Sequence, residues 1–257
     1  MIRTYTSQNA KAWNEIAEVR HKRTEPASYY ASGNTTLNPL LIDAAGDLGG
    51  QFVLQCQCST GEETISWAVL GAQATGVDIS SIQIDLARKK AREAGVAARF
   101  HVGDVCDLPN ELTTAGFDLV HTGGGSLMWI PDIEVWARNV SSALRDGGRL
   151  LLLEEHPVAG CLFVRDGVLI VEDDYFSRRT PIIGSGWRHF EGGENARETK
   201  YQFGWPLGDV ITALASSGLR IDHLSEYPSR ARWRFGDSLE EAKSLPGTYL
   251  LTATKKN

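Results

Sequence analysis

From residue 51 to about 157, short apolar runs alternate with stretches in which apolar residues recur at helical spacing. QFVLQC (51–56) is followed by EETISWAVLGA (62–72), and ATGVDIS (74–80) by SIQIDLARKKAREAG (81–95). AARFHVGDV (97–105) leads into a short loop, FDLVHTGG (117–124) into PDIEVWARNVSSALRDGG (131–148), and RLLLLEEHPV (149–158) closes the series. Alternation of this kind predicts a parallel sheet with crossover helices on both faces, and the near-continuous apolar strands fit burial on both sides. Ser80 stands at an expected helix N-cap, and Gly95 and Gly147 at expected helix C-caps. Residues 7–20 and 35–48 read as helices preceding the first strand. Beyond the series, PLGDVITALASSG (206–218) reads as a helix with a glycine stop, and LRIDHLSEY (219–227) and GTYLLTATKK (247–256) as the last strands. Residues 158–204 carry glycines, aromatics and charges with short β-like runs and no helical period.

This layout is expected to form a single α/β domain over residues 1–257. Its 1–48 helical segment and its 158–204 insertion would together cap the carboxyl ends of the strands, where open α/β sheets bind ligands.

Composition narrows the function. No apolar stretch approaches the roughly 20 residues of a membrane span, and the first residues lack the apolar core of a secretory signal, so a cytoplasmic protein is expected. A formal net charge of −6 argues against nucleic acid as a partner. The basic run Arg230, Arg232, Arg234, interleaved with Trp233 and Phe235, is expected to be a solvated strand face. The cysteines at 56, 58, 106 and 161 have poor metal-site spacing, so no metal is expected; in a strand, Cys56 and Cys58 would point to one face.

The chemistry sits at the strand ends. Asp78 ends the second strand, where a carboxylate can accept from both hydroxyls of a ribose. Asp104 ends the third, placed to accept from an exocyclic amine while the Val105 N–H donates to a purine ring. The fourth ends in VHTGGG, whose glycines admit close backbone approach. The first loop, QCQCSTGEET (55–64), keeps few glycines and opens its helix with Glu62 and Glu63. Two carboxylates there would repel the pyrophosphate of a dinucleotide, which disfavours a nicotinamide oxidoreductase.

The series VLQCQCSTG, GVDIS, GDVCDLP, FDLVHTGGG and DGGRLLLLEEHP resembles the class I S-adenosylmethionine-dependent methyltransferases over about residues 45–157. It looks closest to a bacterial branch of small-molecule enzymes whose first loop reads Leu-Gln-Cys. The resemblance implies a Rossmann-like, doubly wound seven-stranded sheet, mostly parallel with an antiparallel last strand. It implies S-adenosylmethionine as cofactor, held by Gln55, Cys56, Gln57, Gly61, Asp78, Ile79, Asp104, Val105, Thr122 and Gly123. In it the usual loop acid aligns with Gln55 and the first two loop glycines with Gln57 and Ser59. Those replacements matter if φ is positive there or if a Cβ meets ligand.

Methyl transfer from a sulfonium mainly requires alignment and exclusion of water, with a base only if the acceptor stays protonated. His156, His121 and Glu155 are the catalytic candidates, with His156 favoured as base. Tyr29, Tyr30, Trp129, Trp187, His189 and Trp205 are candidates for lining a substrate pocket; Arg178, Arg179 and Arg188 read as a solvated charge face. The expected reaction methylates a nitrogen or oxygen of a small molecule, in specialised metabolism. The rival from another class is a protein that binds S-adenosylmethionine without transferring methyl, as a cyclase or regulatory subunit.

Overall fold

A computed structural model describes residues 1–114, 116–187 and 190–256, with the side chains of residues 232 and 233 excepted. The helices preceding the sheet are α1 (Ile2–His21), α2 (Ala27–Ala31) and α3 (Pro39–Ala45). There follow β1 (Phe52–Cys56), α4 (Glu62–Val69), β2 (Gln73–Asp78), α5 (Ser81–Ala94), β3 (Ala98–Val102) and α6 (Asn110–Thr113). Next come β4 (Phe117–Gly123), α7 (Ile133–Ala143), β5 (Leu144–Glu155) and α8 (Pro157–Gly160). Two small hairpins, β6 (Leu162–Arg165) with β7 (Val168–Val171) and β8 (Ile182–Gly184) with β9 (Lys200–Gln202), occupy the insertion. The chain closes with α9 (Leu207–Ser216), β10 (Leu219–Pro228), α10 (Arg232–Phe235), α11 (Leu239–Ala242) and β11 (Pro246–Lys255).

The main sheet has seven strands in the order β10-β11-β5-β4-β1-β2-β3. β1 to β5 pair in parallel, while β11 runs antiparallel between β5 and β10, as expected for a doubly wound sheet with a reversed last strand. Both faces are covered. Leu54, Val120, Leu150 and Leu152 pack with Trp136 and Val140 of α7 and Leu214 of α9. Val53, Leu119 and Leu151 point the other way, onto Leu41 of α3 and Trp67 of α4. The period of 2 in the strands thus divides each apolar run between two helix layers.

Local signals explain most element ends. The Ser80 side chain accepts from the Gln83 N–H, and Gly95 ends α5 in a left-handed conformation at φ 67°. Gly147 is a correction: α7 already stops at Ala143 and Gly147 lies within β5, so its positive φ of 71° serves the approach to the strand. The basic run is another. Residues 232–235 form a short helix, and Arg234 reaches the Ala159 carbonyl at 3.3 Å and the Phe163 ring at 5.9 Å. Cys56 and Cys58 also part company, because β1 ends at Cys56. Cys56 joins the α7 side of the core, whereas Cys58 packs with Ile65, Ile84 and Phe100.

Candidate active site

The loop between β1 and α4 holds two of the four non-glycine residues with positive φ among the described residues. Gln57 and Ser59 have φ of 55° and 52°, and Gly61, the N-cap of α4, has φ of 84°. The first two positions thus hold side chains in the left-handed region that glycine takes without steric cost. Their surroundings fix them there. The Ser59 N–H donates to Asp78 Oδ2 at 2.8 Å, the Ser59 hydroxyl to Gln83 Oε1, and Gln57 Nε2 to the Ser126 carbonyl at 2.9 Å. Gly61 is irreplaceable for a second reason: an added Cβ would lie 2.8 Å from both Ala87 Cβ and the Phe100 ring.

Asp78, buried at the end of β2, joins this loop to the next. One carboxylate oxygen accepts from Ser59 and the other from the Ser80 N–H at 2.9 Å. Burial pushes its carboxyl up, against the pull of these amides. Asp104 follows β3 and accepts from the Cys106 N–H at 2.8 Å; Val105 is buried and its carbonyl accepts from Asn139 at 3.0 Å. At the end of β4, Thr122 lies within 3.4 Å of the Gln57 amide oxygen. A Cβ on Gly123 would sit 1.8 Å from the Leu153 carbonyl, so β4 and β5 can approach only through glycine here.

α1 crosses this edge of the sheet. Asn14 Oδ1 accepts from the Ser80 hydroxyl at 2.7 Å, and Arg20 donates to Thr60 and Glu62 at 2.8 and 3.2 Å. Glu62 also meets the buried Lys90 of α5, and these two cations hold its carboxyl down at about 2 despite burial. The first of the two helix-opening carboxylates is therefore structural. The second, Glu63, lines a cavity of about 530 Å³. Residues 36–39, Leu41 and Thr248 line that cavity together with His121, Gly123, Gly124, Glu154 and Glu155 from the carboxyl ends of β4 and β5.

The family model described as a methyltransferase domain matches residues 53–148. Over that span the chain is similar to S-adenosylmethionine-dependent methyltransferases. A ubiquinone biosynthesis O-methyltransferase of Xanthomonas oryzae pv. oryzae is 34% identical over 160 residues, 60% of this chain and 62% of that protein. The chain thus spans less than two thirds of the curated relatives it matches. Two solved structures share the fold. An S-adenosylmethionine-dependent methyltransferase from Mesorhizobium loti superposes with a TM-score of 0.63 at 22% identity, over 84% of this chain and 96% of that one. The [4+2]-cyclase SpnF superposes with a TM-score of 0.63 at 18% identity, over 97% and 96%.

The cofactor of such methyltransferases is S-adenosylmethionine, and the residues present suit it. A buried strand-end carboxylate at 78, a left-handed loop at 57–61 and the glycine-bearing end of β4 meet at one edge of the sheet. Of the residues expected to hold it, Gln57, Gly61, Asp78, Ile79, Asp104, Thr122 and Gly123 lie on these strand ends and loops. Cys56 does not offer its side chain, which is buried against the α7 layer. Gln55 is buried too, donating to Glu63 at 2.7 Å and accepting from Thr64 at 2.5 Å.

The catalytic candidates separate. His156 is the N-cap of α8: its Nδ1 accepts from the Val158 N–H at 3.1 Å and its Nε2 lies 2.8 Å from Glu226. It is buried against Tyr249 and does not line the cavity. His121 does line it, but accepts from Trp67 Nε1 at 3.2 Å, and burial lowers its pKa to about 3. Glu155 lines the cavity with its carboxylate 3.6 Å from Arg234.

The aromatic residues divide similarly. Trp13, Trp129 and Trp187 form a three-ring cluster joining α1, the turn after β4 and the insertion, with centroids 4.4–5.3 Å apart. Tyr29 and Tyr30 pack edge to face beside α5, and Trp205 is a core residue donating to the Ile130 carbonyl at 2.8 Å. Arg178 and Arg179 are paired with Asp209 and Glu134. His189 and Arg188 lie outside the described residues. Sequence reading overlooked Glu154, whose buried carboxylate accepts from the amides of Gly125, Ser126, Leu127 and Glu155 and from the Ser126 hydroxyl, shaping the β4 loop. It also passed over Glu63 as a site residue; the signal was its place eight positions after the missing loop acid.

Proposed function

We propose that this protein transfers the methyl group of S-adenosylmethionine to an oxygen or nitrogen of a small molecule. The observation that carries this reading is the grip on Asp78: amides from the left-handed loop and from the start of α5 both point its carboxylate to the strand-end edge, where a ribose would meet it. Likeness to an O-methyltransferase supports oxygen as the acceptor atom. The bound cofactor supplies an electrophilic methyl. The chain supplies orientation through the 57–61 loop and the β4 end, and exclusion of water through α1 and the Trp13, Trp129 and Trp187 cluster. Where the acceptor carries a proton, Glu155 takes it, since among the three candidates it alone combines a carboxylate with a place on the cavity wall. The test is transfer of labelled methyl from S-adenosylmethionine to a panel of hydroxylated and amino small molecules. Transfer to an acceptor supports the reading; tight cofactor binding with no transfer to any acceptor replaces it by a cyclase-like or regulatory role. The likeness to a [4+2]-cyclase over nearly the whole chain favours that second reading.

A further inference from the structure

The first loop lacks a carboxylate at position 55, yet the cavity next to it holds one that no partner fully occupies. Gln55 Nε2 donates to Glu63 Oε2 at 2.7 Å, while Glu63 Oε1 has no partner among the described residues. Gln55 is itself fixed by the Thr64 hydroxyl, so the amide that stands where the acid would be holds the Glu63 carboxylate in place. The same cavity offers a second unmet group. His121 is almost wholly buried, its Nδ1 is taken by Trp67, and its Nε2 has no partner among the described residues. Accepting at Nδ1, the neutral ring carries its proton on Nε2, so the cavity receives a donor with no positive charge.

We propose that Glu63 replaces the missing loop acid and binds the α-ammonium group of the cofactor's amino-acid end, in the cavity it shares with His121. The assignment rests on the cofactor reading above. The charges around Glu63 fit this role. Glu62 on α4 and Glu154 and Glu155 on β5 are like charges; Arg20 of α1 is the cation nearby, and it is committed to Glu62. His121, with Nδ1 3.9 Å from Glu63, is neutral, and residues 36–39 and Leu41 bring no charge to the lining. An ammonium is thus the complement the cavity lacks. Burial and the neighbouring Glu62 raise the Glu63 pKa to about 7, and a bound cation lowers it, so cofactor binding at neutral pH expels part of a proton.

Calorimetry separates this from a structural role. S-adenosylhomocysteine carries the amino-acid end; 5′-methylthioadenosine keeps the nucleoside and lacks that end. Glu63→Gln should weaken S-adenosylhomocysteine about ten- to a hundredfold, the range for loss of one charge-assisted hydrogen bond, and leave 5′-methylthioadenosine within about twofold. Titration at pH 7 in two buffers of different ionisation enthalpy should show proton release with S-adenosylhomocysteine in the native protein and in Glu63→Asp, but not in Glu63→Gln. Equal losses for both ligands, or no loss for either, overturn the assignment while the cofactor reading stands. If the native protein binds neither nucleoside, the cofactor reading falls and this assignment with it.

Discussion

Gln57 and Ser59 show what a single residue type can conceal. In the left-handed region each costs of order 1–3 kcal/mol relative to an unstrained residue, and each recovers part of that through a side-chain hydrogen bond that glycine cannot make. Gly61 has no such exchange available. Gly61→Ala combines a positive φ with contacts to Ala87 and Phe100 that are too short, and is expected to cost roughly 3 kcal/mol, read as a lower urea midpoint at unchanged m. Glu63 sets a pH dependence whose sign is fixed by its raised pKa. The folded protein holds that proton more tightly than the unfolded chain does, so Glu63's contribution is present below about pH 4.5 and is lost as pH rises through about 7. Glu63→Gln should therefore gain stability relative to the native protein between those pH values. Parallel chemical denaturation at pH 5 and pH 8 measures the difference, and an unchanged gap between the two proteins contradicts it.

Helices α1, α4 and α5 are tied together by charge as well as by apolar packing. Arg20, Glu62 and Lys90 each come from a different helix, and the Lys90 ammonium is buried. Removing the shared anion leaves both cations uncompensated. Glu62→Gln is expected to cost about 3–5 kcal/mol by urea unfolding at pH 7, and the Glu62→Gln, Lys90→Met pair less than the sum of the single changes. None of this was visible as a pattern along the chain, because the three residues are 28 to 70 positions apart. The helices themselves were legible: Ile133, Trp136, Ala137, Val140 and Ala143 recur at helical spacing and all are buried in α7. Its C-terminal boundary was not, since a glycine that stops a helix and one that bends a strand entry share the same positive φ.

At the scale of the molecule, the proposed ligand edge is built from several segments distant in the chain. A ligand that binds only the folded state should stabilise the whole chain: S-adenosylhomocysteine at 100 times its Kd is expected to add about 2.7 kcal/mol, read as a higher melting temperature, while NAD(P) adds none. A shift with NAD(P) in place of S-adenosylhomocysteine would return the fold to the oxidoreductases.

The sequence by itself determined the sheet and its mostly parallel strands, and marked the strand ends where a ligand is expected. Burial on both faces dictates apolar runs, and crossover connections dictate the helical stretches between them. It also placed Asp78, Asp104 and the glycine-bearing end of β4, because a strand end is a local feature. Only the tertiary structure decided which neighbouring side chains face a cavity and which are taken up by packing. His156 became a helix cap, and Glu62 became the centre of an ion cluster. Glu63, one residue later on the same helix, turned to a cavity built from α3, β4 and β5. One residue along a helix is a rotation of about 100°, and what lies in that direction is set by segments distant in the chain.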